Sequence, residues 1–362
     1  MTNMLDYLSW RGDISLAASP FCEIDNIILA MLSFIDFSAV VPPSASAVPV
    51  TLAECLESSK KRFPDGQYFG SIIPKDNNTL LELTASSERF RDTYVVAFRD
   101  EIDEGNVKQF AAVTFILPDN SLYVAFRGTD DTLVGWKEDF AMSYDAPTTS
   151  QKCAAEYLAD VAAHHSGPIR IGGHSKGGNL SVYSAAFVPE EVQKRIVTVY
   201  NNDGPGFVPE IIDTDSYRAV ADRIVTFVPQ SSAVGILLKQ TGKYSVIEST
   251  ESNGVKQHNP YSWVVKGTRF RHLDSLSKQG KRHDEVLDEW IRSSTADERR
   301  KLTDTIFSVL ESSGAKTLTD ITESKLTSAA SMIKALVGLD KETRDNAMTF
   351  IKRFGDAMKT EK

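Results

Sequence analysis

Apolar positions recur along this chain in two rhythms. Over the first 40 residues the spacing is helical. Asp25 stands where a cap belongs, and Ile27, Ile28, Met31, Leu32 and Ile35 follow on one side of a helix. Residues 41–50, VPPSASAVPV, interrupt that pattern as a loop, and residues 51–62 resume it as a short amphipathic helix. From about residue 67 the rhythm shortens. Phe69–Ile73, Tyr94–Phe98, Ala111–Leu117 and Leu122–Phe126 are short runs of apolar or β-branched residues and read as strands. The last two flank Pro118-Asp119-Asn120-Ser121, so they form a hairpin.

A regular alternation follows. Lys152–His164 is helical, with Ala155, Leu158, Ala159 and Ala162 on one face. Pro168–Gly173 is a strand, Gly177–Phe187 a helix, and Ile196–Tyr200 and Ile224–Val228 are strands. Tyr244–Glu248 and Ser262–Val265 are further strand candidates. Strands buried on both faces and joined by crossover helices make a parallel sheet. The apolar run Ala233–Leu238 reads as a buried core helix rather than as a lid over a site. From about residue 283 strand signals cease. Asp284–Arg292, Ala296–Leu310 and Leu326–Lys359 are amphipathic and charged. The expected architecture is α/β: a mostly parallel sheet flanked by helices, with helical extensions at both ends. Its divisions are residues 1–66, an N-terminal helical extension; 67–282, the α/β core; and 283–362, a C-terminal helical region.

Composition narrows the class. The 362 residues are 41% hydrophobic and 25% charged, which suits a globular protein and excludes disordered and fibrous classes for the chain as a whole. With 40 basic against 49 acidic residues the net charge is −9, and no run of Lys and Arg exceeds three residues. A nucleic-acid partner is therefore not expected. The three cysteines, Cys22, Cys55 and Cys153, are too few and too far apart for a disulfide framework or a zinc site. The opening residues carry acids and lack the apolar core of a signal peptide, and Ile27–Leu32 is too short to cross a bilayer. These features set the expectation of a cytoplasmic protein without a transmembrane segment.

The sharpest chemical feature is Gly173-His174-Ser175-Lys176-Gly177, entered by a strand and left by a helix. That is the arrangement of a nucleophile elbow. A tight strand-to-helix turn thrusts the serine hydroxyl out at the sheet edge. Gly173 and Gly177 flank it because a Cβ there would collide with neighbouring backbone. The new helix aims its free N–H groups at the place where an oxyanion would form. A phosphate loop is excluded, since no GxxxxGK[ST] occurs.

A serine needs a base. His174 adjoins Ser175 and should point away from it. His164 and His165 end a helix, and His272 and His283 sit at or beyond the end of the core. His258 lies in a loop between two strand candidates after the elbow, where α/β-hydrolases place their base. The acid is less determined. Asp203 ends the strand after the elbow and is followed by Gly204-Pro205-Gly206, but aspartate is also common as a simple turn former. The next strand ends in Pro229-Gln230-Ser231-Ser232, without a carboxylate. An oxyanion hole requires the N–H of the residue after the nucleophile, Lys176, and a second donor. Thr129, after the Leu122–Phe126 strand, offers both an N–H and a hydroxyl.

Phe126-Arg127-Gly128-Thr129, followed by Gly135-Trp136 and Asp139, resembles the FRGT/S…NW…D block of the class 3 lipases. Together with Gly-His-Ser-Lys-Gly-Gly and the later histidine, it looks most like a bacterial family allied to those lipases. The resemblance covers roughly residues 90–270. It implies an α/β-hydrolase fold and serine esterase or lipase chemistry, with Ser175 as nucleophile, Thr129 and Lys176 as oxyanion hole, His258 as base by position, and Asp139 in a structural role. No cofactor and no metal are implied, and the substrate would be a small-molecule or lipid-like ester or thioester. One departure matters. Those lipases take their acid from a D-P-V-P-like segment, which here is Val228-Pro229-Gln230-Ser231-Ser232. Asp203 serves instead, or a hydroxyl such as Ser232 orients the histidine, or the triad is broken. The last case makes the chain a catalytically inactive hydrolase-fold binding or scaffold protein. A peptidase or acyltransferase on the same fold is not separable from an esterase by sequence.

Overall fold

The computed structural model describes residues 2–62, 74–240, 242, 244–312, 314–317 and 320. The expected strand Phe69–Ile73 and helix Leu326–Lys359 lie outside these residues. Among those described, nine strands form one sheet. Strands β1 (Val50–Thr51), β2 (Tyr94–Asp103), β3 (Lys108–Ile116) and β4 (Leu122–Phe126) are successively antiparallel. From β4 the sheet runs parallel through β5 (Ile169–His174), β6 (Ile196–Asn202), β7 (Ile224–Pro229) and β8 (Ser245–Ile247). The two-residue strands β9 (Val265–Lys266) and β10 (Arg269–Phe270) form a separate hairpin, and β11 (His272–Leu273) closes the sheet antiparallel to β8.

Alternation along the strands feeds two cores, because successive side chains point to opposite faces. Val113, Phe115, Tyr123 and Ala125 enter the core covered by α1 (Met4–Arg11), α2 (Glu23–Leu32), α3 (Leu52–Arg62) and α4 (Pro74–Ser86). Ala112, Leu122, Val124 and Phe126 enter the opposite core, where α6 (Thr149–His164) and α7 (Lys176–Phe187) supply the helical wall; α5 (Leu133–Ala141) lies between β4 and α6 in the chain. Short helices α8 (Glu190–Gln193), α9 (Pro209–Ile212), α10 (Asp215–Arg218) and α11 (Gly254–Gln257) fill the connections, and α12 (Lys278–Ser293) and α13 (Ala296–Glu311) follow the sheet. This is an α/β-hydrolase-like fold with helical additions at both ends.

Three local expectations differ from the structure. Asp25 is not the cap of its helix: Cys22 takes that position, and Asp25, third in α2, accepts the Cys22 N–H at 2.8 Å. Ala233–Leu238 is an irregular turn, not a helix. Its Gly235 N–H donates to the Asp203 carboxylate, and Phe207 bridges Lys239 in antiparallel fashion, so these amides do not serve a helical ladder. Ser262–Val265 is not a strand throughout. The Pro260–Ser262 turn delays β9 to Val265.

A buried ion pair ties α2 to the turn between α4 and β2. Arg89, with no exposed surface, donates Nε to Asp25 Oδ1 at 2.6 Å and Nη2 to Asp25 Oδ2 at 2.5 Å, and also reaches the carbonyls of Ile14, Ser19 and Pro20. Removing one partner of such a pair leaves a charge without compensation. Asp25→Ala is therefore expected to lower unfolding stability by about 3–5 kcal/mol. The exposed Arg91–Glu88 pair, removed as Arg91→Ala, should change it by under about 0.5 kcal/mol. Urea denaturation of the two variants checks the contrast.

Candidate active site

Ser175 occupies the turn between β5 and α7, at φ 59° and ψ −131°. That is a sparsely populated conformation for a residue with a Cβ and holds only when its surroundings enforce it. Here they do. The Ser175 N–H donates to the Asn202 carbonyl at 3.0 Å, and the Gly178 N–H returns to the Ser175 carbonyl at 2.9 Å. A Cβ on Gly173 would meet the Gly177 backbone, and one on Gly177 would meet the Phe126 carbonyl. Between buried His174 and Lys176, Ser175 alone keeps partial exposure.

Asp203 is the first residue beyond β6, fully buried and itself at φ 54°. Its Oδ1 accepts from Ser232 Oγ at 2.6 Å and from the Gly235 N–H at 3.1 Å. Its Oδ2 lies 2.6 Å from His258 Nδ1. A carboxylate accepts, so Nδ1 carries the proton and Nε2 presents a lone pair. His258 caps the C-terminus of α11, and the Gln257 amide before it holds the loop after β7 by accepting the Ser231 N–H at 2.8 Å. The ring of His174 lies 4.4 Å from that of His258 and donates Nε2–H to the His258 carbonyl at 2.8 Å. Burial, and then the neighbouring His258, hold His174 well below the usual imidazole range, so it is a neutral prop. It lies alongside His258.

The turn after β4 packs onto the elbow. A Cβ on Gly128 would meet the His174 carbonyl at 2.6 Å and Ser175 Cβ at 3.2 Å. Thr129, the next residue, donates its hydroxyl to Asp139 Oδ2 at 2.5 Å. The Lys176 side chain is wholly buried and donates Nζ to the Gln109 carbonyl at 2.6 Å and to Glu138 Oε2 at 3.0 Å. Ser175, Lys176, Asp203, His258 and the Thr129 turn thus gather at the C-terminal edge of β4–β6. Among the described residues, no group of three or more His, Cys, Asp or Glu is placed to hold a metal ion. Sequence reasoning missed Gly235, His174 and Glu138. It weighed Ser232 only as a substitute for the acid, whereas the hydroxyl donates to Asp203.

A family model described as Mbeg1-like matches residues 84–308. The chain belongs to the Mbeg1-like family. Among solved structures it is similar to M37 lipase, at 14% identity over 58% of this chain and 68% of that one, with a TM-score of 0.35. It is also similar to the Rhizomucor miehei lipase propeptide complex, at 14% identity over 62% and 80%, with a TM-score of 0.33. A comparison with curated proteins finds no match.

In this Mbeg1-like chain one carboxyl beside the elbow is strained electrostatically. Burial pushes Asp139 up to about 6, partly offset by the Lys176 charge and the Thr129 hydroxyl, and its Oδ1 has no hydrogen-bond partner among the described residues. A carboxyl raised in the folded state from 3.8 favours the fold in its protonated form. That contribution is complete below about pH 4 and is lost as the pH rises through about 6. Asp139→Asn removes the titration. Urea denaturation at a series of pH values should show the variant gaining on the wild type between about pH 4 and 6, and holding level above. A difference that stays flat across this window would show that Asp139 takes up no proton on folding.

Proposed function

We propose that this protein is a serine hydrolase of the esterase or lipase type, cleaving a carboxylic ester or thioester in the cytoplasm. The observation that carries this reading is the 2.6 Å contact between His258 Nδ1 and Asp203 Oδ2, made at the sheet edge where Ser175 holds its elbow conformation. Ser175 Oγ attacks the substrate carbonyl while His258 Nε2 takes its proton. The tetrahedral oxyanion rests on the backbone N–H groups of Lys176 and Thr129. His258 passes the proton to the departing alkoxide or thiolate, leaving an acyl-enzyme. Water attacks that ester, again through His258, and Ser175 regains its proton as the acid leaves. Asp203 keeps the imidazole in the Nδ1–H tautomer and balances the imidazolium. The mechanism consumes only water and calls for no cofactor. The FRGT and GHSKGG motifs of this chain and its α/β-hydrolase-like sheet support this class but leave the acyl group open.

The test is intact-mass detection of a fluorophosphonate adduct, paired with turnover of an activated ester. Wild type should gain one adduct, on Ser175. Ser175→Ala should gain none and lose turnover by at least about 10³-fold. His258→Ala should behave similarly, and Asp203→Asn should lower kcat by about 10³–10⁴-fold. A folded wild type that takes no adduct and turns over no ester would make this a binding protein on a hydrolase fold.

A further inference from the structure

Lys176 is the first residue of α7, a position from which a lysine ordinarily reaches solvent. Here its side chain has no exposed surface, and that of Glu138 is only 1% exposed. Taking an ammonium and a carboxylate out of water costs several kcal/mol per ion, and an apolar residue of similar volume would fill the space more cheaply. The carboxylate is nonetheless hydrogen-bonded at both oxygens. Glu138 Oε1 accepts the Ser150 N–H at 2.8 Å, and Oε2 accepts the Gln109 N–H at 3.0 Å, Ser150 Oγ at 2.7 Å and Lys176 Nζ at 3.0 Å. Burial works to raise the Glu138 carboxyl, but Lys176, Gln109 and Ser150 together hold it below its ordinary value, so it is anionic. With four donors from β3, α6 and α7, it has one orientation.

We infer that Glu138 is a positioning residue for the oxyanion hole, acting through the Lys176 side chain to set the direction of the Lys176 backbone N–H. The inference rests on the hydrolase reading above. Its geometry extends to the second donor. Asp139, the next residue of α5, holds Thr129, so adjacent carboxylates on one helix anchor both donors of the hole. The spacing between those N–H groups is then set by one helical unit, and α5 is itself held by α13 through the Phe140–Phe307 ring contact and the Lys137–Asp304 ion pair. An oxyanion hole works only when its donors are fixed before charge develops, so a shift of the Lys176 amide weakens transition-state binding more than substrate binding.

The experiment separates positioning from simple stabilisation. Glu138→Gln and Lys176→Met each strand a buried partner, so both are expected to lower Tm and kcat together. The double variant Glu138→Gln/Lys176→Met removes both charges. Its Tm should return to near the wild-type value, while kcat stays depressed by about 10–100-fold with KM changed by less than about threefold. The inhibition constant for an aryl trifluoromethyl ketone, which forms a hemiketal oxyanion on the serine, should rise in parallel with the loss in kcat. Glu138→Asp, which keeps the charge but shortens the reach, should show the same split and decides the matter if the double variant does not fold. Recovery of kcat together with Tm in the double variant, or unchanged ketone affinity in the variants, would overturn the inference and leave the pair purely structural. A wild type that takes neither fluorophosphonate nor ketone would instead overturn the hydrolase reading itself.

Discussion

The constraint on which the rest of this structure depends is the backbone of Ser175. A non-glycine residue at positive φ costs about 1–3 kcal/mol, and nothing local to the turn offsets that. The offset comes from the elements on either side. Ile169 and Ile171 of β5, and Leu180, Val182, Ala185 and Ala186 of α7, are locked into a core with essentially no exposure. The serine N–H is bound to the end of β6. Shifting the turn would break strand pairing on both sides and lift α7 off the sheet. The strain is therefore spread over a large buried interface.

The same sheet edge organises Asp203 and His258. β6 ends in Asn202, and Asp203 follows it directly. Asn202 bonds the Gly173 carbonyl at 3.0 Å and meets Asn26 of α2 at 2.8 Å, so one strand end connects the elbow, Asp203 and the N-terminal helices. The loop after β7 supplies Ser232 to Asp203. The buried His283 of α12 holds that loop in turn through the carbonyls of Ser231 and Ser232, at 3.2 and 3.3 Å. A Cβ on Gly254, at the start of α11, would meet the His283 ring at 2.9 Å, which brings the helix leading to His258 against the same residue. The terminal helices are thus structural parts of the surroundings of Ser175, Asp203 and His258: α2 braces β6, α12 braces the loop that carries Ser232, and α13 braces the helix that carries Glu138 and Asp139.

Charge at this edge is handled by pairing each buried ion with several donors. Glu138 receives four hydrogen bonds and Asp203 three, while Arg89 and Asp25 satisfy one another on the side of the N-terminal helices. Asp139 is the exception, with one oxygen on Thr129 and the other without a partner among the described residues, and burial raises its pKa.

What the sequence determined by itself is what local periodicity and local sterics encode. The strand–turn–helix at residues 169–187, the β3–β4 hairpin and the parallel run from β5 to β7 were legible, because period-2 and period-3.6 burial and flanking glycines act within a few residues. The irregular turn at Ala233–Leu238 was not, since its amides are claimed by Asp203 and Phe207, about 30 residues earlier in the chain. Which group meets His258 was likewise open between Asp203, Ser232 and none. The tertiary structure decided it by bringing the end of β6 and the cap of α11 within 2.6 Å across 55 residues of chain, with Ser232 feeding the carboxylate from a third segment. The Lys176–Glu138 pair left no trace at all in residue spacing. An ammonium's partner is chosen by which side chains share its dry pocket, and that is a property of packed elements from β3, α5, α6 and α7, not of any one stretch of sequence.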